Sequence, residues 1–204
     1  MREKNFEKEL PEGYKQAMYI NAKQAKFGII FNVIALLVLV AVMVVAIIPL
    51  YQSGRFTLDI LRIELLNYLI AMLVFVVAIL SYIVLHELVH GLAYKILTGE
   101  KLTFGISWSC AFCGVPHIYT YRKTAVISVS APLVIFTLIL TPITVLLYFV
   151  SPLYYLMFAF ILGLHLGGCS GDIYVLLLLC IKFRKKNVLM RDTGPEQFFY
   201  VKED

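Results

Sequence analysis

The sequence predicts an all-α integral membrane protein of about four transmembrane helices, with a small β-hairpin-like segment after the second. Three observations carry that expectation. The chain is 61% hydrophobic and 15% charged, whereas soluble globular domains are nearer half apolar and a quarter charged. Apolar runs occupy about 27–50, 64–97, 124–149 and 152–182, each longer than the ~20 residues needed to cross ~30 Å of hydrocarbon. Lys and Arg also alternate between connecting segments: six in residues 1–26, four in 95–123 and six from Lys182 onward, against only Arg55 and Arg62 in 51–63 and none near Ser151. The positive-inside rule then puts both termini of a multi-pass cell-membrane protein in the cytoplasm.

Taken in order, residues 1–26 are polar and read as a cytoplasmic N-terminal tail. No cleavable signal peptide is evident, so the first span is expected to be a retained anchor. Residues 27–183 read as one membrane domain and 184–204 as a cytoplasmic C-terminal tail. After the second span, "KLTFGISW" sets Leu102, Phe104, Ile106 and Trp108 against Thr103, Gly105 and Ser107, the period of a strand. "HIYTYRK" is the expected partner strand, with "SCAFCGVP" turning between them. The alternative is an interfacial loop anchored by its aromatics. Pro132 and Pro142 are expected to break or kink the third helix. In the fourth, Gly163, Gly167 and Gly171 fall four apart, which makes either a close-packing face or a local loosening that lets Asp172 reach sideways.

Net charge is +5, and basic tails against anionic headgroups account for it without a nucleic acid partner. Cys110 and Cys113 have redox or zinc spacing, but one pair cannot fill a four-ligand zinc site, and disulfides rarely persist in the cytosol. Both read as turn residues. Cys169 and Cys180 read as small packing residues in the fourth span.

The second span carries the chemistry. "SYIVLHELVHGLAYKI", residues 81–96, is apolar except around His86, Glu87 and His90. Ionisable groups in hydrocarbon cost at least a few kcal/mol and mark function by default. His86-Glu87-Leu88-Val89-His90 is H-E-x-x-H. On a helix the two imidazoles share a face and can hold one Zn²⁺, leaving Glu87 beside the metal to take a proton from a water. A third protein ligand is usual. Asp172 and His165 are the intramembrane candidates. Counting from the outer end of each span puts Asp172 at the depth of His86 and His90. His165 lies seven residues, about 10 Å, further out. Asp172 is therefore the favoured ligand, and His165 is left to packing, ligand support or a substrate channel.

At this point the residues resemble a known group. "HELVHG" within a span, with "SGDIY" in a later one, looks like the site-2 protease clan of intramembrane zinc metalloproteases. It is most similar to the short bacterial membrane family named "putative zincin peptidases", which the "SAPLVIF" helix and the tail "RDTGPEQFFY" also resemble. Site-2 proteases usually carry Leu-Asp-Gly where Asp172 here follows Gly171, and Gly-Pro where this chain has Ala131-Pro132. The resemblance implies one Zn²⁺ per chain on His86, His90 and Asp172, with Glu87 as general base. It further implies a membrane-protein or peptide substrate cut within or beside its own transmembrane segment. Two alternatives stand: a non-enzymatic membrane protein retaining a structural zinc site, and a small cation carrier.

Overall fold

The computed structural model describes residues 4–57, 64–106 and 111–203. In chain order the elements are β1 (Phe6–Glu7), β2 (Tyr14–Asn21), α1 (Ala25–Gln52), α2 (Leu65–Thr98), β3 (Thr103–Ile106), β4 (Ala111–Gly114), β5 (Tyr119–Tyr121), α3 (Arg122–Val150), α4 (Pro152–Gly168), α5 (Ser170–Leu177), a π-helical turn (Leu178–Lys182), β6 (Val188–Asp192) and β7 (Glu196–Lys202). The fold is mostly helical. Four helical segments, Ala25–Gln52, Leu65–Thr98, Arg122–Val150 and Pro152–Lys182, are long and apolar enough to cross a membrane. They coincide with the four apolar runs. The chain divides into two compact units, residues 1–31, 85–132 and 171–204 in one, 32–84 and 133–170 in the other.

The first unit holds the sheets, and here the all-α expectation needs correction. The polar tails do not simply trail from the spans. They supply β1, β2, β6 and β7 to a five-stranded antiparallel sheet of order β1-β5-β6-β7-β2. Its packed side is Ile20, Met190 and Phe199, which with Tyr94, Ile118 and Leu179 are at most 1% exposed. Burying a side chain of this size stabilises by about 1.5–3 kcal/mol, enough to order strands whose charged alternate residues hide their period.

A hairpin does follow the second span, but with a different partner. β3 pairs with β4, Thr103 opposite Gly114 and Ile106 opposite Ala111, so part of the expected turn is the second strand. The Phe112 ring explains the choice. It covers Gly105 and Gly194, where any Cβ would collide with it. The expected partner, Tyr119–Tyr121, joins the larger sheet instead, between β1 and β6. Buried Thr120 donates to the Met190 carbonyl at 3.0 Å, and the Tyr121 hydroxyl donates to Glu7 at 2.7 Å. Trp108 and Cys110 lie outside the described residues.

The second unit is helical. Ala46, Leu50, Tyr155 and Ala159 form one core, and Tyr82, Leu140 and Ile161, with Phe75 and Phe136, another. Its outward residues are apolar, among them Leu36 and Leu37 on α1 and Leu138 and Leu146 on α3. Apolar exposure on this scale belongs to lipid rather than water. The glycine expectation resolves into both alternatives. A Cβ on Gly167 would lie 2.5 Å from the Ala35 carbonyl oxygen and 2.9 Å from its Cα, and one on Gly163 would lie 2.8 Å from Leu39 Cδ1. Those two pack. Two residues on, the helix is interrupted at Cys169, and α5 starts afresh at Ser170. α3, by contrast, runs as one helix through both Pro132 and Pro142, so neither ends it.

Candidate metal centre

Within the first unit, α2 presents His86 and His90 one turn apart, and α5 presents Asp172 in its first turn. His86 Nε2 is 3.4 Å from Asp172 Oδ2, and His90 Nε2 is 3.5 Å from Asp172 Oδ1. Donor atoms of all three lie within 4.8 Å of one another. Both imidazoles are nearly buried, at 9% and 8% exposure. The interrupted fourth span is what puts Asp172 here: it stands in the second helical piece, just past the Cys169 break.

The distances discriminate between two readings. A direct charge-assisted hydrogen bond would be about 2.7–2.9 Å. Two donors on a tetrahedral zinc, each about 2.0–2.2 Å from it, are about 3.4 Å apart. His90 adds a chemical argument. Its Nδ1 is 2.9 Å from the Ser128 carbonyl oxygen, and a carbonyl only accepts, so Nδ1 carries the proton. In the neutral ring Nε2 then turns a lone pair towards a carboxylate oxygen. Two acceptors face each other unless a proton or a cation stands between them, and at 3.4–3.5 Å the gap is wider than a charge-assisted hydrogen bond and suits a cation. A divalent cation satisfies His86, His90 and Asp172 at once. The residues fit zinc.

Glu87 is half-buried beside this group, and the Cys113 backbone N–H of β4 is directed at its carboxylate. The hairpin is held against α2 at the glycine of "HELVHG". A Cβ on Gly91 would lie 2.6 Å from Phe104 Cζ and 3.1 Å from Leu102 Cδ1. The absent side chain at Gly91 makes the space that the Phe104 ring and Leu102 fill. Burial pushes the Cys113 thiol up to about 12, with Asp192 and Glu87 nearby adding to the rise, so Cys113 is an inert thiol. Cys180 is exposed rather than packed.

Residues 79–187, just over half of the chain, match the family model described as "Putative zincin peptidase". The chain belongs to this family. No curated protein and no solved structure matches it. The family description points to a zinc metallopeptidase, and the matched span contains His86, Glu87, His90 and Asp172.

His165 belongs to the second unit and is fully buried there. Tyr82 Oη is 2.9 Å from its Nδ1, Thr137 Oγ1 is 3.1 Å from its Nε2, and Cys169 Sγ is 3.7 Å from Nδ1. It ties α2, α3 and α4 together, as the packing alternative expects. Two residues near the centre escaped the sequence reading. Tyr94, one turn beyond His90 on the same face, donates its hydroxyl to Asp192 Oδ2 at 2.8 Å. Asp192 Oδ1 accepts the Gly194 N–H at 2.9 Å, and its carbonyl accepts the Val115 N–H at 2.8 Å. Asp192 so joins the zincin helix, the end of β4 and the C-terminal strands. The i+4 spacing from His90 is a signal for Tyr94; Asp192 lies in the tail "RDTGPEQFFY", where its local mark is a turn-forming Asp-Thr-Gly.

Proposed function

We propose that this zincin is a membrane-embedded zinc metallopeptidase of the site-2 protease type, hydrolysing peptide bonds of membrane-protein substrates. The observation that supports it most is the His86–His90–Asp172 donor set, with Glu87 alongside, in an otherwise apolar span. His86, His90 and Asp172 would hold one zinc per chain. When bound, zinc supplies Lewis acidity to a scissile carbonyl and lowers the pKa of a water towards ~7. Glu87 does the proton work: its carboxylate takes the proton of the attacking water and passes it to the leaving amine. The Cys113 N–H holds that carboxylate in place.

A peptide bond inside a substrate helix is shielded by its own hydrogen bonds, so the substrate must be locally unwound. Among the described residues β3 pairs only with β4, which leaves an edge onto which an extended segment can add as a strand. The Lys and Arg distribution supports cytoplasmic termini and a centre in the cytoplasmic half of the bilayer. The test uses peptides carrying one transmembrane segment and a fluorophore–quencher pair, presented to the detergent-purified chain. Wild type cleaves them, whereas Glu87→Gln retains zinc and does not. Cleavage by Glu87→Gln at the wild-type rate would remove Glu87 from the reaction.

A further inference from the structure

The carbonyl that holds His90 raises a question of local backbone chemistry. Ser128 lies inside α3, where its C=O ordinarily accepts the N–H of the residue four positions on. That residue is Pro132, which has no N–H. The Ser128 carbonyl is therefore released from the helix ladder by covalent necessity, and it is this oxygen that His90 Nδ1 approaches at 2.9 Å. Ser128 is fully buried and Pro132 nearly so, so water is a poor substitute partner for the released oxygen.

We propose that Pro132 is a positioning residue for the metal centre: by removing the N–H that would compete for the Ser128 carbonyl, it reserves that oxygen for His90 Nδ1–H. The bond fixes the tautomer and ring orientation that turn Nε2 towards Asp172. Carbonyl partners behind metal-ligating imidazoles act in this way, and their loss costs roughly 10–100-fold in metal affinity or activity. The inference rests on His86, His90 and Asp172 being the metal ligands. It assigns the proline a role distinct from bending the helix, since α3 continues through it.

The prediction separates function from stability, because the two move in opposite directions. Pro132→Ala supplies a helix-favouring residue and restores the missing N–H. Its thermal unfolding temperature should equal or exceed that of wild type, while zinc affinity, measured by chelator competition on the detergent-purified full chain, falls at least tenfold. The visible spectrum of the Co²⁺-substituted protein should shift with it. Pro142→Ala is the control. It repairs the same helix one proline further on, where the released carbonyl belongs to Leu138, and should leave zinc affinity unchanged. Wild-type zinc affinity and cobalt spectrum in Pro132→Ala would overturn the proposal while leaving the metal centre intact. An equal loss in Pro142→Ala would overturn it too, by making the effect one of helix shape. Wild type that binds no zinc would overturn the ligand assignment and the proposal together.

Discussion

Asp192 offers a test of the buried contacts beneath the metal centre. Its side chain is 5% exposed, and burial pushes its carboxyl up to about 6, although the Gly194 N–H and the Tyr94 hydroxyl favour the ionised form and limit the rise. An ordinary Asp titrates near 3.9. Below that pH the carboxyl is protonated in both folded and unfolded chains, and its contribution to stability is fully present. Between about 3.9 and 6 the unfolded chain releases the proton and the folded chain keeps it, so stability falls as pH rises. Above 6 the loss is complete, at about 3 kcal/mol. Asp192→Asn cannot titrate. The stability of wild type relative to Asp192→Asn should therefore drop by about 3 kcal/mol, mostly between pH 4 and 6.5, or about 6–12 °C in unfolding temperature for a chain of this length. Thermal unfolding of both proteins in one detergent across that range measures it. Titrations that do not feel residue 192 are common to both and cancel in the difference, while the fields of His90 and Asp172 on the Asp192 carboxyl are part of the drop being measured. Parallel profiles would refute the reasoning and place Asp192 in a wetter site.

Further outcomes follow from the same structure. Glu87→Gln should lower cleavage by about 10²–10⁴-fold with zinc content unchanged, read by turnover and by elemental analysis of one preparation. Gly167→Ala should destabilise by about 1–3 kcal/mol, because its Cβ meets the Ala35 backbone, which has no rotamer to yield. Gly171→Ala, whose nearest neighbour is the Phe31 ring at 3.9 Å, should be near neutral; equal unfolding temperatures for the two would contradict the packing account. Tyr94→Phe removes a hydrogen bond to a charged group and should cost about 1.5–3 kcal/mol, checked by the same unfolding measurement.

Much of this was legible in the sequence because membrane-length apolar helices and metal-ligand spacings both follow rigid patterns. Long apolar runs gave the four spans to within a few residues. The i, i+4 spacing of His86 and His90 put both on one face, and counting along two spans placed Asp172 at their depth, where the structure brings the three together. The tails were harder. Tyr14–Asn21 and Glu196–Lys202 pair with each other across nearly the whole chain, and a contact of that sequence separation leaves no local period to read. The hairpin partner differs from the expected one for a related reason. "HIYTYRK" has good strand character, but which strand it joins is decided by Met190 and Phe6, far away in sequence. The prolines differ from expectation in the opposite direction: each removes one hydrogen bond, but α3 continues through both, and the released Ser128 carbonyl becomes useful to His90.

The central claim is that His86, His90 and Asp172 form one zinc site. The most direct test is metal content per chain of detergent-purified protein, comparing wild type with His90→Ala, Asp172→Ala and His165→Ala. The account predicts about one zinc per chain in wild type and in His165→Ala, and loss of zinc in His90→Ala and Asp172→Ala. No zinc in wild type after supplementation would contradict it, as would zinc that survives in Asp172→Ala and is lost in His165→Ala.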